Sequence, residues 1–179
     1  MHTPTTSTRS QDARAVTSWR LDPEGSTAEF RVPHFWGLVT VTGRFDRLDG
    51  RLDTDDHNTP RRIELTIDAA SLTTRNRRRD RHLRSADFFD VDHYPEASFR
   101  STAIRPTEDG SLHVSGVLSA AAGHVALELE PTVAQSGDEL SIDVRTTVDQ
   151  RHLGITWSPL GMTRSPVTVH VHAVLRPEQ

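Results

Sequence analysis

Between Arg75 and Asp90 the chain gathers six arginines (Arg75, Arg77, Arg78, Arg79, Arg81, Arg84), one histidine (His82), one serine (Ser85) and three aspartates (Asp80, Asp87, Asp90). Guanidinium groups at this density suit a diphosphate, an anionic membrane surface or RNA, because each presents a rigid fork of donors to phosphate oxygens. The interspersed carboxylates partly neutralise them. The expected role is therefore a solvated helix face, held by Arg79–Asp80 and Arg84–Asp87 ion pairs. His82, Ser85 and Asp87 are the residue types of nucleophilic catalysis, which needs a hydroxyl beside a base and a group to orient that base. Crowded onto one short helix they match no triad geometry, and the chain has neither G-x-S-x-G nor H-E-x-x-H. No catalytic residue is expected.

Ten histidines raise the question of a metal. His170 and His172, at i and i+2, would share one face of a strand and could chelate, but no third ligand is near in sequence and their face is opposite the valines. They are expected to face solvent, with no metal site. His34, His82 and His152 are better placed as polar contacts at a pocket mouth. Ten aromatics complete the set of notable side chains, and several fall between regular elements, in Phe35-Trp36, Phe88-Phe89 and Trp157. With Leu83, Leu160 and Met162 they would either plug the ends of a β-structure or line the entrance of an apolar tunnel.

The elements that must position these residues are mostly strands. Ala28, Phe30 and Val32 alternate with Glu29 and Arg31; Val39, Val41, Gly43 and Phe45 alternate with Thr40, Thr42 and Arg44. This period of two marks a sheet with one covered face. The same pattern recurs around Ile63–Ile67, Ala97–Ile104, Leu112–Leu118, Val125–Leu129, Leu140–Val148 and Val167–Leu175, giving about eight strands at hairpin spacing. The exception is Arg77 to Ser85, where Asn76 can act as N-cap and Leu83 is the sole large apolar residue. Pro95 forbids helix beyond Tyr94. Eight antiparallel strands that are apolar on one face stack as a sandwich or close as a barrel, and periodicity does not choose between them.

Composition narrows the function classes. A length of 179 residues suits one domain, and 34% apolar residues with a mean hydropathy of −0.54 suit a sheet with one wet face. No apolar run reaches the ~18–20 residues of a membrane helix. A net charge of −4 makes the whole chain a poor match for nucleic acid. All 21 basic residues are arginine, and there is no cysteine to form a disulfide or act as a nucleophile. Residues 1–18 are polar and aperiodic, so a disordered arm is expected there, and the absence of a signal-peptide core points to a cytoplasmic location.

The segment IDAASLTTRNRRRDRHLRSADFFDVDHYPEASFRST, Ile67 to Thr102, resembles the signature of the YceI-like family of bacterial lipid-binding proteins. The positions that carry it are Arg79, Asp80, His82, Leu83, Arg84, Ser85, Asp87, Phe88, Phe89, Asp90, Val91, Tyr94 and Pro95. Trp19–Gly50 and Val148–Pro159 are similar to the family's opening and closing regions. Leu118 to His124 departs from the family's usual pattern, which is expected to reshape one hairpin at the barrel end and bears on ligand identity. The resemblance implies an all-β fold, an eight-stranded antiparallel lipocalin-like barrel with a short helical cap, spanning residues 19–176. It also implies binding, sequestration or transfer of an isoprenoid lipid or isoprenoid quinone, with no cofactor beyond that ligand. The expected lining is Phe30, Val32, His34, Phe35, Trp36, Val39, Val41, Phe45, Leu83, Phe88, Phe89, Phe99, Trp157, Leu160 and Met162. Transient membrane contact is an open expectation, nucleic acid is not a partner, and a homodimer is an open alternative for the oligomeric state. Two rival readings are an enzyme acting on a lipid-like substrate at the cap, and a plugged barrel serving as an interaction module.

Overall fold

The computed structural model describes residues 17–34, 39–107, 111–155 and 166–178. In chain order the strands are β1 (Thr17–Leu21), β2 (Thr27–His34), β3 (Val39–Phe45), β4 (Leu48–Thr54), β5 (Pro60–Asp68) and β6 (Leu72–Thr73). Helix α1 (Arg77–Arg84) follows, then β7 (Glu96–Pro106), β8 (Leu112–Ala120), β9 (Gly123–Leu129), β10 (Thr132–Ser136), β11 (Glu139–Val148) and β12 (Val167–Pro177). Every pairing is antiparallel, and all twelve strands belong to one sheet.

The architecture is the expected all-β one with a single short helix. Twelve strands appear where eight were expected, because four long chain segments are each cut once. A turn over residues 22–26 divides β1 from β2, Asp46 and Arg47 divide β3 from β4, a 3-10 turn at Ala69–Ser71 divides β5 from β6, and Glu130-Pro131 divides β9 from β10. The pairings continue across the cuts: β1 and β2 lie in succession along one edge of β12, while β11 runs along its other edge. Order also begins earlier than Trp19, since Thr17 and Ser18 pair with Thr54 and Asp53. The rest of the expected disordered arm lies outside the described residues.

The sheet curls from β9 through β8, β7, β5, β4 and β1 to β12 and β11. Beyond Pro131 the strand leaves β8, and β10 pairs with β11. No ladder joins β9 to β11 among the described residues, so the ring is bridged at that seam by the continuous chain rather than by hydrogen bonds. Pro131 has no N–H to donate there.

The covered faces of the strands point inward, except in β10, where all five residues are exposed. Trp19, Leu21, Leu48, Leu52, Leu140 and Leu175 pack as the solid part of the core, and Leu52 and Leu72 are fully buried. At the β8–β9 hairpin, where the sequence departs from the family pattern, Ala121 and Ala122 form a two-residue turn with Ala121 at φ 47°. A Cβ on Gly123 would lie 2.2 Å from the His152 carbonyl oxygen. That glycine therefore lets the hairpin press onto the 3-10 turn Gln150–Leu153 and close this side of the barrel rim.

Candidate functional site

Helix α1 is fixed from both ends and from below. The Asn76 side chain accepts hydrogen bonds from the N–H groups of Arg78 and Arg79, as the N-cap assignment requires. Beneath it, the buried Asp80 carboxylate accepts from the Thr74 N–H at 2.8 Å, from the Thr74 hydroxyl and from the Thr73 hydroxyl at 3.3 Å. Burial pushes the Asp80 carboxyl up, but the hydrogen bonds from Thr74 and Thr73 outweigh it and hold the group below the usual carboxylate range.

The expected ion pairs are not the fastening. Arg79 donates to the Thr74 hydroxyl (Nε, 2.7 Å) and carbonyl (Nη2, 3.0 Å), Arg84 donates to the Leu72 carbonyl, and Asp87 lies 3.4 Å from His82. Backbone acceptors beneath the helix are closer to these guanidinium groups than the neighbouring carboxylates are. Side chains adjacent along a helix diverge, which is why Arg79 and Asp80 do not meet.

After α1 the chain coils tightly. Phe88 and Asp90 donate backbone N–H groups to the Ser85 carbonyl, Phe89 to that of Leu83, and Val91 to that of Arg84. The coil aims Phe89 at the Phe45 ring, edge-on, with centroids 5.8 Å apart, and sets Phe88 edge-on to the His82 ring at 5.1 Å. Ser85 Oγ donates to the His82 carbonyl rather than to its ring, so His82, Ser85 and Asp87 do not form a nucleophile–base relay.

Under this cap the barrel holds a cavity of about 640 Å³. Its walls are the inward faces of the strands: Ala28, Phe30 and Val32 of β2, Val41 and Phe45 of β3, and Val167 and Val169 of β12. Leu83, Phe88 and Phe89 form its roof. Gly43 makes room for the Phe30 ring, since a Cβ there would sit 2.2 Å from Phe30 Cζ. A second apolar space of about 120 Å³ lies deeper, walled by Leu52, Phe99, Val114, Leu127, Ile142 and Val171. Ile67, Leu118, Val148 and Val169 border both, forming a waist between them. Among the described residues the polar lining of the upper cavity is Glu29, Asn76, Arg78, Arg79, His82 and Gln150. Burial of apolar surface is what such a space can supply, with orientation set by its few polar groups.

Eight of the expected lining residues meet at these spaces: Phe30, Val32, Val41, Phe45, Leu83, Phe88 and Phe89 in the upper cavity, and Phe99 in the deep one rather than at an entrance. His34 and Val39 pair at the ends of β2 and β3, with side chains outside the described residues. Phe35, Trp36, Trp157, Leu160 and Met162 also lie outside them. His152 is exposed and does not line the cavity. Sequence reasoning missed Arg78 and Arg79 as lining residues, and also Leu153 and Ile155. Leu153 and Ile155 fall inside the closing segment that carries the family resemblance, which was the available signal.

His170 and His172 alternate with the cavity-facing valines and so lie on the outer face. Their rings take opposite oxygens of Asp143, at 2.7 and 2.6 Å, and these two contacts hold the Asp143 carboxyl below its usual range. Among the described residues no group of three His, Cys, Asp or Glu side chains is arranged to hold a metal ion, and no helix is long and apolar enough to cross a membrane.

Comparison with known proteins places the chain. The model of the YceI-like domain family matches residues 19–175. Protein YceI of Shigella flexneri is 32% identical over 133 residues, which span 73% of this chain and 69% of that protein. Among solved structures, BcnA of Burkholderia cenocepacia superposes with a TM-score of 0.78 at 21% identity, covering 86% of this chain and 98% of that one. A polyisoprenoid binding domain from Saccharophagus degradans superposes with a TM-score of 0.72 at 15% identity, covering 89% and 98%. At these identities the structural matches establish the fold.

Proposed function

The chain belongs to the YceI-like family, and from that premise we propose that its barrel binds a long-chain isoprenoid lipid, as a polyprenyl chain or the tail of an isoprenoid quinone, and sequesters or transfers it. The observation that carries this reading is the cavity: about 640 Å³, walled by apolar strand side chains, with its polar lining among the described residues made of Glu29, Gln150 and four residues of α1 and its N-cap. A branched hydrocarbon chain satisfies such walls without hydrogen bonds. At roughly 0.8 kcal/mol per buried CH₂, each isoprene unit of about five carbons contributes about 4 kcal/mol.

The polar lining suits an oxygen-rich head group. Arg78 and His82 offer donors to quinone carbonyls or phosphate oxygens, while Leu83 and Phe89 roof the tail. Helix α1 with the following coil is the gate, because it covers the cavity and is held by side-chain hydrogen bonds rather than by a ladder of the sheet. The polyisoprenoid binding domain among the structural neighbours supports the same ligand class.

The test is organic extraction of the protein purified from its native host, followed by mass spectrometry against a control barrel of similar size. A stoichiometric isoprenoid is expected. A barrel that arrives empty and takes up no added polyprenol or quinone would refute the proposal.

A further inference from the structure

We infer that the exposed arginines around α1 form a docking face for an anionic phospholipid bilayer, which brings the cavity mouth against the surface from which the lipid enters. This rests on the carrier reading. Arg75, Arg77, Arg78 and Arg81 are all exposed, and none has a carboxylate within ion-pair distance among the described residues. The acidic residues of the same segment are committed elsewhere: Asp80 is buried against Thr73 and Thr74, Asp87 faces His82, and Asp90 holds His93, while Glu29 of β2 also lines the cavity but is beyond ion-pair distance of all four arginines. On the barrel wall, by contrast, arginines such as Arg20, Arg47 and Arg61 each meet an aspartate.

Arg77 and Arg81 stand at i and i+4, a like-charge spacing that works against the helix in isolation, and a polyanionic surface relieves it. Arg78 joins the charged face to the site, since it also lines the cavity. A chain of net charge −4 is repelled by anionic membranes except through such a face, so the charge distribution orients the mouth toward the bilayer. An RNA would meet the same arginines but leave the adjoining apolar cavity unused. A bilayer supplies both negative head groups and isoprenoid tails.

The full chain would be co-sedimented with vesicles of mixed phosphatidylglycerol and phosphatidylcholine, and with phosphatidylcholine alone. Binding is expected to the anionic vesicles only and to weaken with added salt. Each arginine near such a surface contributes roughly fivefold in partitioning. The triple variant Arg75→Asn, Arg77→Gln, Arg81→Gln should therefore bind about a hundredfold more weakly, with thermal unfolding no lower than in the wild type and unchanged isoprenoid content. Lysine at the same three positions should restore binding. Equal binding to both vesicle types, no loss in the triple variant, no rescue by lysine, or a preference for single-stranded RNA would each overturn the inference. A loaded barrel that ignores anionic vesicles refutes the docking face alone. An empty barrel that still binds them refutes the carrier reading alone.

Discussion

Substituting Val169→Phe tests whether a tail threads the waist between the two cavities. Val169 borders both spaces and sits across from Phe30 on β2 and Thr146 on β11, so a phenyl ring there has open volume only inward. The deep space of about 120 Å³ would then be closed to a ligand entering beneath α1. Denying a tail one isoprene unit of burial removes about five carbons at roughly 0.8 kcal/mol each, or about 4 kcal/mol. That corresponds to about a thousandfold in affinity. Overpacking costs the barrel about 1–3 kcal/mol, which chemical denaturation reads separately. The assay is competition against a fluorescent polyprenol with two unlabelled polyprenols, one long enough to pass the waist and one ending above it. The advantage of the long chain should collapse while the short chain keeps its affinity within a few-fold. Equal losses for both chains, or none for either, would show that the deep space is not part of the binding path.

Three further outcomes are expected. Phe89→Asp places a carboxylate on the apolar roof and removes the contact with Phe45, so lipid retention after gel filtration should be lost while the circular dichroism of the barrel is kept; full retention would move the gate elsewhere. Asp80→Ala leaves the Thr74 N–H and two threonine hydroxyls without their acceptor, which should weaken the cap by about 2–4 kcal/mol and speed hydrogen exchange in α1. Asp80 titrates below its ordinary value when folded, so its contribution is complete above pH ~4 and fades as pH falls through the lower folded value. Exchange in α1 should accelerate in that acid window in the wild type and show no such step in the variant. Ala121→Gly relieves a left-handed backbone position in the β8–β9 turn and should raise stability by about 1 kcal/mol, partly offset by unfolded-state entropy; a lower melting temperature would show that the turn is not strained there.

Much of the site was readable because it follows from alternation. Phe30, Val32, Val41 and Phe45 lie on the apolar side of a period-two pattern, and one face of a strand must be covered. The cap was readable for another local reason: Asn76 can bond only the N–H groups just ahead of it, and Pro95 stops any helix behind it. The cuts in the strands were less legible. Asp68 caps the Ala69–Ser71 turn through the Ala70 N–H, a local signal that went unread, whereas the Asp46-Arg47 bend is held by the distant Ser71 hydroxyl, which accepts from both N–H groups. The partners of Asp80, Arg79 and Arg84 were misjudged because proximity in sequence stood in for proximity in space.

By itself, then, the sequence determined the all-β class, the covered face of the eight strands it showed, the position of the one helix and the family signature, since each depends on neighbours within a few residues. Only the tertiary structure decided that the valine face of β12 encloses empty volume rather than solid core, that a waist divides that volume, and that Arg78 belongs to its mouth. It also decided that the acids beside the arginines face threonine and histidine instead. A cavity exists only where distant strands meet without filling the space between them, and a carboxylate's partner is whichever donor the fold brings nearest; neither is a property of any local stretch of chain.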